Sequence, residues 1–195
     1  MISPDASGEL LGLEESSRVA ARHHWVESNM FTLLGGWVKT TSTPEAKLLF
    51  DRQAGHHAWR AQQWWNRLPA LADVDRAALV ARPGDRLSAV FKAVSDEEST
   101  VSRLVCTYRV LIPRLAVSYE RHRTRASAVA DSSVLRTLEI VARDVSSDWL
   151  DGEAVLERVL ESEIPPAGEC DYEALSAANT FAASIEVQLA SAAGF

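Results

Sequence analysis

The spacing of apolar residues is the feature that most limits how this chain can fold. Between about residues 10 and 36, Ala20, Glu27, Met30 and Leu34 follow one stripe with three- and four-residue steps, which is the period of an α-helix. The same period recurs in four segments of about 25 to 30 residues. Short β-branched runs lie inside these longer patterns, so the chain is predicted to be all-α.

Turn and cap residues mark where the first two helices end. A Thr-Pro pair at 43–44 supplies an N-cap followed by proline at the first helical position, and the second helix then runs to about Leu68. Residues 70–94 are predicted to form a longer connection with two short helical pieces, capped by Asp73 and Asp85.

The second half of the chain contains three further helices. Ser95 and Glu98 have the spacing of a capping box and are predicted to begin the third long helix, which Pro113 is expected to kink. The fourth covers residues 131–163. A final Ala-rich helix is predicted over residues 172–193.

These elements predict one domain over residues 1–195. Four long helices that pair as two hairpins, with a long connection between the second and third, are typical of a four-helix bundle with one crossover. Residues 1–9 are expected to form a flexible N-terminus. Residues 164–195 are expected to form a C-terminal helical extension that lies across the bundle or against the second subunit of a homodimer.

Composition narrows the class of protein. The chain has 195 residues, of which 47% are hydrophobic, and a formal charge of −7, which argues against a nucleic-acid partner. No segment is apolar for the roughly 18 residues that a membrane span needs, so no membrane is expected as a partner. The two cysteines are far apart, which favours a reducing compartment, and a cytoplasmic location is predicted.

Two pairs of adjacent histidines, at 23–24 and 56–57, lie on the inner stripes of the first two helices. Glu27 lies on the same stripe, where a buried carboxylate must be paired or protonated. In an antiparallel hairpin His24 faces His57 at nearly the height of Glu27, so Glu27, His24 and His57 are predicted to be catalytic. The alternative is that these histidines are hydrogen-bonded core residues, which is a frequent fate of buried histidine.

Two sequence stretches carry a resemblance to a known family. HHAWRAQQWWNRLP in the second helix and YRVLIPRLAVSYERH in the third, together with the long helices, resemble the ferritin-like superfamily, over roughly residues 10–160. The resemblance implies an up-down-down-up bundle that in many relatives holds two metal ions. In those relatives, two helices each supply one Glu and the other two each supply Glu-x-x-His.

The implied metal ligands are only partly present in this chain. Glu27 matches the carboxylate of the first helix, but Gln53 stands before His56 where an acid is expected, and Tyr108 stands where the third helix should supply a carboxylate. A standard di-iron centre is therefore not predicted, and no cofactor is assigned. If iron or manganese binds, the ligands would come from Glu27, His56, His57, Asp144 and Asp148.

Three functions remain open. The favoured hypothesis is an enzyme on a ferritin-like scaffold that uses acid/base chemistry on a small apolar or aromatic molecule, in a cavity between helices. Trp64, Tyr108 and Gln53 are its expected substrate-binding residues. The first alternative is a metal-dependent oxidase or oxygenase with an altered ligand shell. The second is a non-catalytic binding or assembly protein.

Overall fold

The structure is a computed structural model that describes residues 10–70, 75–80, 84–162 and 172–192. Within these ranges every regular element is helical and no strand occurs, so the all-α prediction is confirmed. The predicted flexible N-terminus and the cap at Asp73 lie outside the described residues. The α-helices are α1 Leu13–Trp37, α2 Pro44–Trp65, α3 Arg76–Leu79, α4 Asp85–Ser95, α5 Thr100–Cys106, α6 Ile112–Arg125, α7 Ser132–Ser162 and α8 Tyr172–Ser191.

The predicted capping box for the third long helix is wrong. Ser95 is the last residue of α4, and α5 begins later, with Ser99 as its N-cap; the Ser99 hydroxyl accepts the backbone N–H of Ser102 at 3.3 Å. The cap predicted at Asp85 is also displaced by one residue. Gly84 precedes α4 with φ +132°, a conformation that glycine adopts readily, and Asp85 is the first helical residue.

A π-helical segment over Thr107–Leu111 joins α5 to α6 into one continuous helical run. The backbone N–H of Ile112 reaches the carbonyl of Thr107, five residues earlier, and Pro113 follows directly. The disturbance that proline was predicted to cause therefore lies just before it and takes the form of a widened turn. Such π segments often occur where a helix positions a functional side chain.

The first two helices run antiparallel to each other. The Trp37 ring near the end of α1 packs on Phe50 near the start of α2, and His24, earlier in α1, is hydrogen-bonded to the carbonyl of Ala61, later in α2. Helix α6 is also antiparallel to α1. Arg125 at the end of α6 pairs with Glu15 near the start of α1, and Tyr119, earlier in α6, bonds to Glu27, later in α1.

Helix α7 is the fourth long helical run, beside α1, α2 and the run that ends with α6. It runs antiparallel to α2, since Glu45 pairs with Arg158 and Arg52 pairs with Asp151. It is joined to α6 by residues 126–131, which reverse the chain. Four long helical runs thus enclose one core, while α8 packs mainly against α4 and α5.

The centre of this core contains charged as well as apolar side chains. Arg60 is among the largest side chains that are fully buried, together with Trp64, Tyr108, Tyr119 and Phe50. Burying an ionised group without partners costs far more than burying an apolar one. The contacts of Arg60 therefore determine how this core is stabilised. Separately, none of the helices in the described segments combines the length and apolar character needed to span a bilayer.

Candidate functional site

Glu27 of α1 lies at the centre of a buried polar network. Its Oε2 is 2.5 Å from Nδ1 of His57, and its Oε1 accepts hydrogen bonds from Nε of Arg60 at 2.9 Å and from the hydroxyl of Tyr119. None of the four side chains has more than 1% of its surface exposed. Residues from α1, α2 and α6 therefore meet at one carboxylate.

Arg60 joins this carboxylate to a second one. Nη1 of Arg60 donates to Oδ2 of Asp148 on α7 at 2.8 Å, while Nε donates to Glu27. Burial alone lowers the pKa of Arg60, but the two carboxylates raise the pKa above its ordinary value. The guanidinium is thus a permanent cation shared between two acids. Removing it would leave the buried charges of both acids uncompensated.

The arginine and histidine also keep Glu27 ionised. Burial raises the pKa of Glu27, whereas the charge of Arg60 and the contact with His57 lower it; the lowering is larger. An ionised carboxylate can only accept hydrogen bonds, so the proton between Glu27 and His57 belongs to Nδ1 of the imidazole.

His57 is left with one nitrogen unused. Burial lowers its pKa more than Glu27 raises it, so the ring is neutral at pH 7. With the proton on Nδ1, the lone pair is on Nε2, which is buried and has no hydrogen-bond partner among the described residues. Nη2 of Arg60 is 3.0 Å from Nδ1, but two donors cannot form a hydrogen bond, and this approach is a contact only.

Asp148 connects the buried network to the surface of the protein. Its Oδ1 is 2.7 Å from Nδ1 of His56, whose side chain is 44% exposed. Its backbone carbonyl accepts a hydrogen bond from Nε2 of Gln53 at 2.9 Å, and Oε1 of Gln53 accepts one from the hydroxyl of Tyr108 at 2.8 Å. Gln53 thus links α7 to Tyr108, and the Tyr108 hydroxyl and both polar atoms of the Gln53 amide are engaged in these hydrogen bonds.

An aromatic cluster adjoins the network on the side of Tyr119. Nε1 of Trp64 donates to the Tyr119 hydroxyl at 3.1 Å. The His23 ring packs against both of these rings, with centroids 4.6 Å from Trp64 and 4.8 Å from Tyr119. His122 of α6 lies beside it, with its centroid 5.3 Å from that of His23.

Two of the three predicted catalytic residues meet, because Glu27 and His57 are in direct contact, although the hairpin geometry predicted His24 opposite His57. The third does not join them. His24 is half-buried, packs against Trp65 and is bonded to the carbonyl of Ala61 at 2.8 Å. Since adjacent helical residues point about 100° apart, His23 faces the interior in its place.

The residues do not fit the di-metal centre that the resemblance implies. Arg60 lies between Glu27 and Asp148, and a fixed cation there competes with any bound metal ion. No three His, Cys, Asp or Glu side chains within the described ranges converge in a way that could hold a metal. Asp144 is half-buried and is not part of the network. His56 and His57 bind carboxylates that Arg60 already occupies.

Sequence reasoning missed three residues of this site: Arg60, Tyr119 and His122. Each lies on an inner stripe of its helix, so its burial was predictable. The available signal was the presence of arginine on an apolar stripe, because a buried guanidinium must have acidic partners.

Scans against protein-family models, curated proteins and solved structures find no match to this chain.

Proposed function

We propose that this protein is an enzyme that carries out acid/base chemistry on a small, uncharged molecule, with His57 as the base and Glu27 as the residue that orients it. The observation that carries the proposal is the pairing of His57. One ring nitrogen is anchored to a buried carboxylate, and the other is buried without a partner. That is the arrangement in which a carboxylate fixes the tautomer of a catalytic histidine and leaves Nε2 to take a proton.

Electrostatics supports this role. A base must be neutral before it acts, and burial lowers the pKa of His57. Once the ring accepts a proton at Nε2, the ionised Glu27 stabilises the imidazolium that forms. Arg60 and Tyr119 keep Glu27 ionised by donating hydrogen bonds to Oε1, while His57 uses Oε2. The two oxygens of the carboxylate therefore have separate tasks.

The surroundings favour an apolar or aromatic substrate. The positive charge of Arg60 is already shared by Glu27 and Asp148, so it does not attract an anionic molecule. Trp64 and Tyr119 supply aromatic surface on one side of the network. Because His57 has no exposed surface, a substrate reaches Nε2 only when neighbouring side chains move aside.

We also propose that the fold is a ferritin-like four-helix bundle. Its support is the direction of the helices: α1 runs antiparallel to both α2 and α6, and α2 runs antiparallel to α7. This gives the up-down-down-up order that the resemblance implies. In this proposal Arg60 supplies the positive charge that metal ions supply in metal-binding relatives. The two cysteines lie far apart in the sequence, which is typical of a protein from a reducing compartment, and we therefore propose the cytoplasm as the location of this protein.

The test is a fragment screen read at the imidazole nitrogens. Protein labelled with 15N at histidine is mixed with a library of small neutral aromatic and aliphatic molecules, and the Nε2 signal of His57 is followed. We expect some members to shift this signal in the wild type and in Glu45→Gln, whose side chain is exposed on α2. Glu27→Gln, which keeps the shape and removes the charge, should lose the response while remaining folded.

A non-catalytic binding or assembly protein is the second candidate, and it is favoured by the complete burial of the network. In that case no library member reaches His57, and Glu27→Gln and His57→Ala change only the melting temperature. This pair of outcomes would overturn the enzyme proposal.

A further inference from the structure

An open groove lies on the protein surface between α8 and the helical run that ends with α6. Its volume is about 380 Å³, which is within the range of small-molecule sites. The proposed acid/base site uses none of the residues that line it. Three of these residues are apolar and three are arginines: Val110, Pro113, Val117, Arg109, Arg114 and Arg121.

The π-helical segment Thr107–Leu111 brings the arginines onto one face. Arg109 and Arg114 are five residues apart, and in a continuous α-helix their side chains would point about 140° apart. A π turn holds about one residue more than an α turn, so the two side chains come close to one line. Arg121 follows Arg114 by two α-helical turns and faces the same way. One wall of the groove therefore has a row of positive charge.

Two of the three arginines are bound to acids of neighbouring helices. Arg114 donates hydrogen bonds to both carboxylate oxygens of Glu186 on α8, at 2.8 and 2.5 Å. Arg109 contacts Glu153 of α7 at 3.3 Å, which is long for a charged hydrogen bond. These two pairs connect the groove wall to α8 and α7. The guanidinium of Arg121, in contrast, has no partner among the residues that the structure describes.

Ser118 places a second free donor beside Arg121. The two residues are three positions apart on α6, so their side chains are neighbours on the helix surface, and both line the groove. Within the described part of the chain, the Ser118 hydroxyl also has no hydrogen-bond partner. A guanidinium and a hydroxyl side by side are donors that a carboxylate accepts well.

The helix dipole is not a sufficient explanation for Arg121. Basic residues near the end of a helix compensate the negative end of its dipole, and this effect is confined to the last turn. In α6 the basic residues of that turn are His122, Arg123 and Arg125. Arg121 precedes them and lines the groove.

Charge and shape select the class of ligand. Three arginines face two acids, Glu186 in the groove and Glu153 beside Arg109, so one positive charge is left without a counter-charge. This charge matches a single carboxylate. Pro113 and Val117 are four residues apart and therefore adjacent on α6, and Val117 is 50% exposed. They supply apolar surface next to the free donors.

We propose that the groove between α6 and α8 binds a small monocarboxylate with an apolar body. The Arg121 guanidinium and the Ser118 hydroxyl bind the carboxylate, while Pro113 and Val117 contact the apolar body. This inference is independent of the chemistry proposed for Glu27 and His57, because the two sites share no residue.

The test is a titration of the full chain with hexanoate, followed through the 13C methyl signals of Val110 and Val117. We expect both signals to shift saturably, with half-saturation at about 1 mM or below. Hexan-1-ol keeps the chain and lacks the charge, whereas acetate keeps the charge and lacks the chain. Each should bind at least about fivefold more weakly than hexanoate.

Two variants locate the carboxylate. Arg121→Gln keeps a polar side chain and removes the charge, so it should weaken hexanoate binding about fivefold or more. Arg123→Gln is the matched control, because Arg123 is exposed on the same helix, lies outside the groove and carries the same charge. It should bind hexanoate as the wild type does. Both substitutions are at exposed positions, so both variants should fold.

The proposal is wrong if hexanoate leaves both valine signals unchanged up to about 10 mM. Equal weakening by Arg121→Gln and Arg123→Gln would also overturn it, because only the overall charge of the protein would then attract the anion. Hexan-1-ol binding as tightly as hexanoate would show an apolar groove that has no carboxylate site.

Discussion

Arg60 lies between Glu27 and Asp148, with its Nε 2.9 Å from one carboxylate and its Nη1 2.8 Å from the other. A single side chain of α2 thereby forms ion pairs with both α1 and α7. Two acids and one arginine are all but removed from solvent, so each depends on the others for its charge to be tolerated.

Replacing Arg60 with methionine should destabilise the protein strongly. The substitution keeps an unbranched apolar stem but leaves two buried carboxylates without their cation, a loss that costs about 3–5 kcal/mol of unfolding free energy. Arg52→Met is the matched control, because Arg52 on the same helix pairs with an α7 acid at the surface and such pairs contribute about 0–1 kcal/mol. Urea denaturation at pH 7 measures both changes.

The pH dependence of this loss follows from the same contacts. Without Arg60, burial raises the pKa of Glu27 in the folded state above the unfolded value, so the folded protein takes up a proton first as pH falls. The deficit of Arg60→Met relative to the wild type should therefore shrink between pH 7 and pH 5. A deficit that stays constant over this range would show that lost packing, and not lost charge, explains the effect.

Gly152 of α7 should not tolerate alanine. A Cβ atom built on Gly152 lies 2.1 Å from Cδ1 of Tyr108, whose ring is fully buried and whose hydroxyl is bonded to Gln53. Because neither partner can retreat easily, Gly152→Ala should cost about 3 kcal/mol or more. Gly55→Ala in α2 is the control. Its Cβ meets nothing within 4 Å, and it should stabilise the protein by about 0.5–1 kcal/mol. Equal effects of the two changes in thermal denaturation would contradict this prediction.

The tautomer of His57 can be observed directly. We expect 15N NMR of the imidazoles to show His57 protonated at Nδ1 and bare at Nε2, because Nδ1 faces the ionised Glu27. Since burial lowers the pKa of His57, this pattern should persist as pH falls below the value at which an exposed histidine takes up a proton. In Glu27→Gln the fixed tautomer should be lost. A wild type with the proton on Nε2 would remove the basis for a base at this position.

The helical period was sufficient to predict the helices and the positions of Glu27 and His57 on inner stripes. The hairpin geometry was insufficient for the facing residues. It placed His24 opposite His57, but Glu27 takes that position and His24 lies against Ala61, one turn further along α2. The role of Arg60 was not predictable from its own helix. Its second partner, Asp148, comes from α7, and only packing between the helices brings the two together.

The His23 and His122 pair should make the protein sensitive to acid. Burial lowers the pKa of both rings in the folded state, that of His122 to about 4, whereas in the unfolded chain both titrate near 6.5. The unfolded state therefore binds more protons between these values, and stability should fall as pH drops from about 6.5 to about 4. For His122 alone the loss is on the order of 3 kcal/mol, since each pKa unit corresponds to about 1.4 kcal/mol. Denaturation curves recorded through this range measure the loss, and His122→Phe should remove the His122 share. A variant that loses stability with acid as steeply as the wild type would assign the sensitivity to other groups.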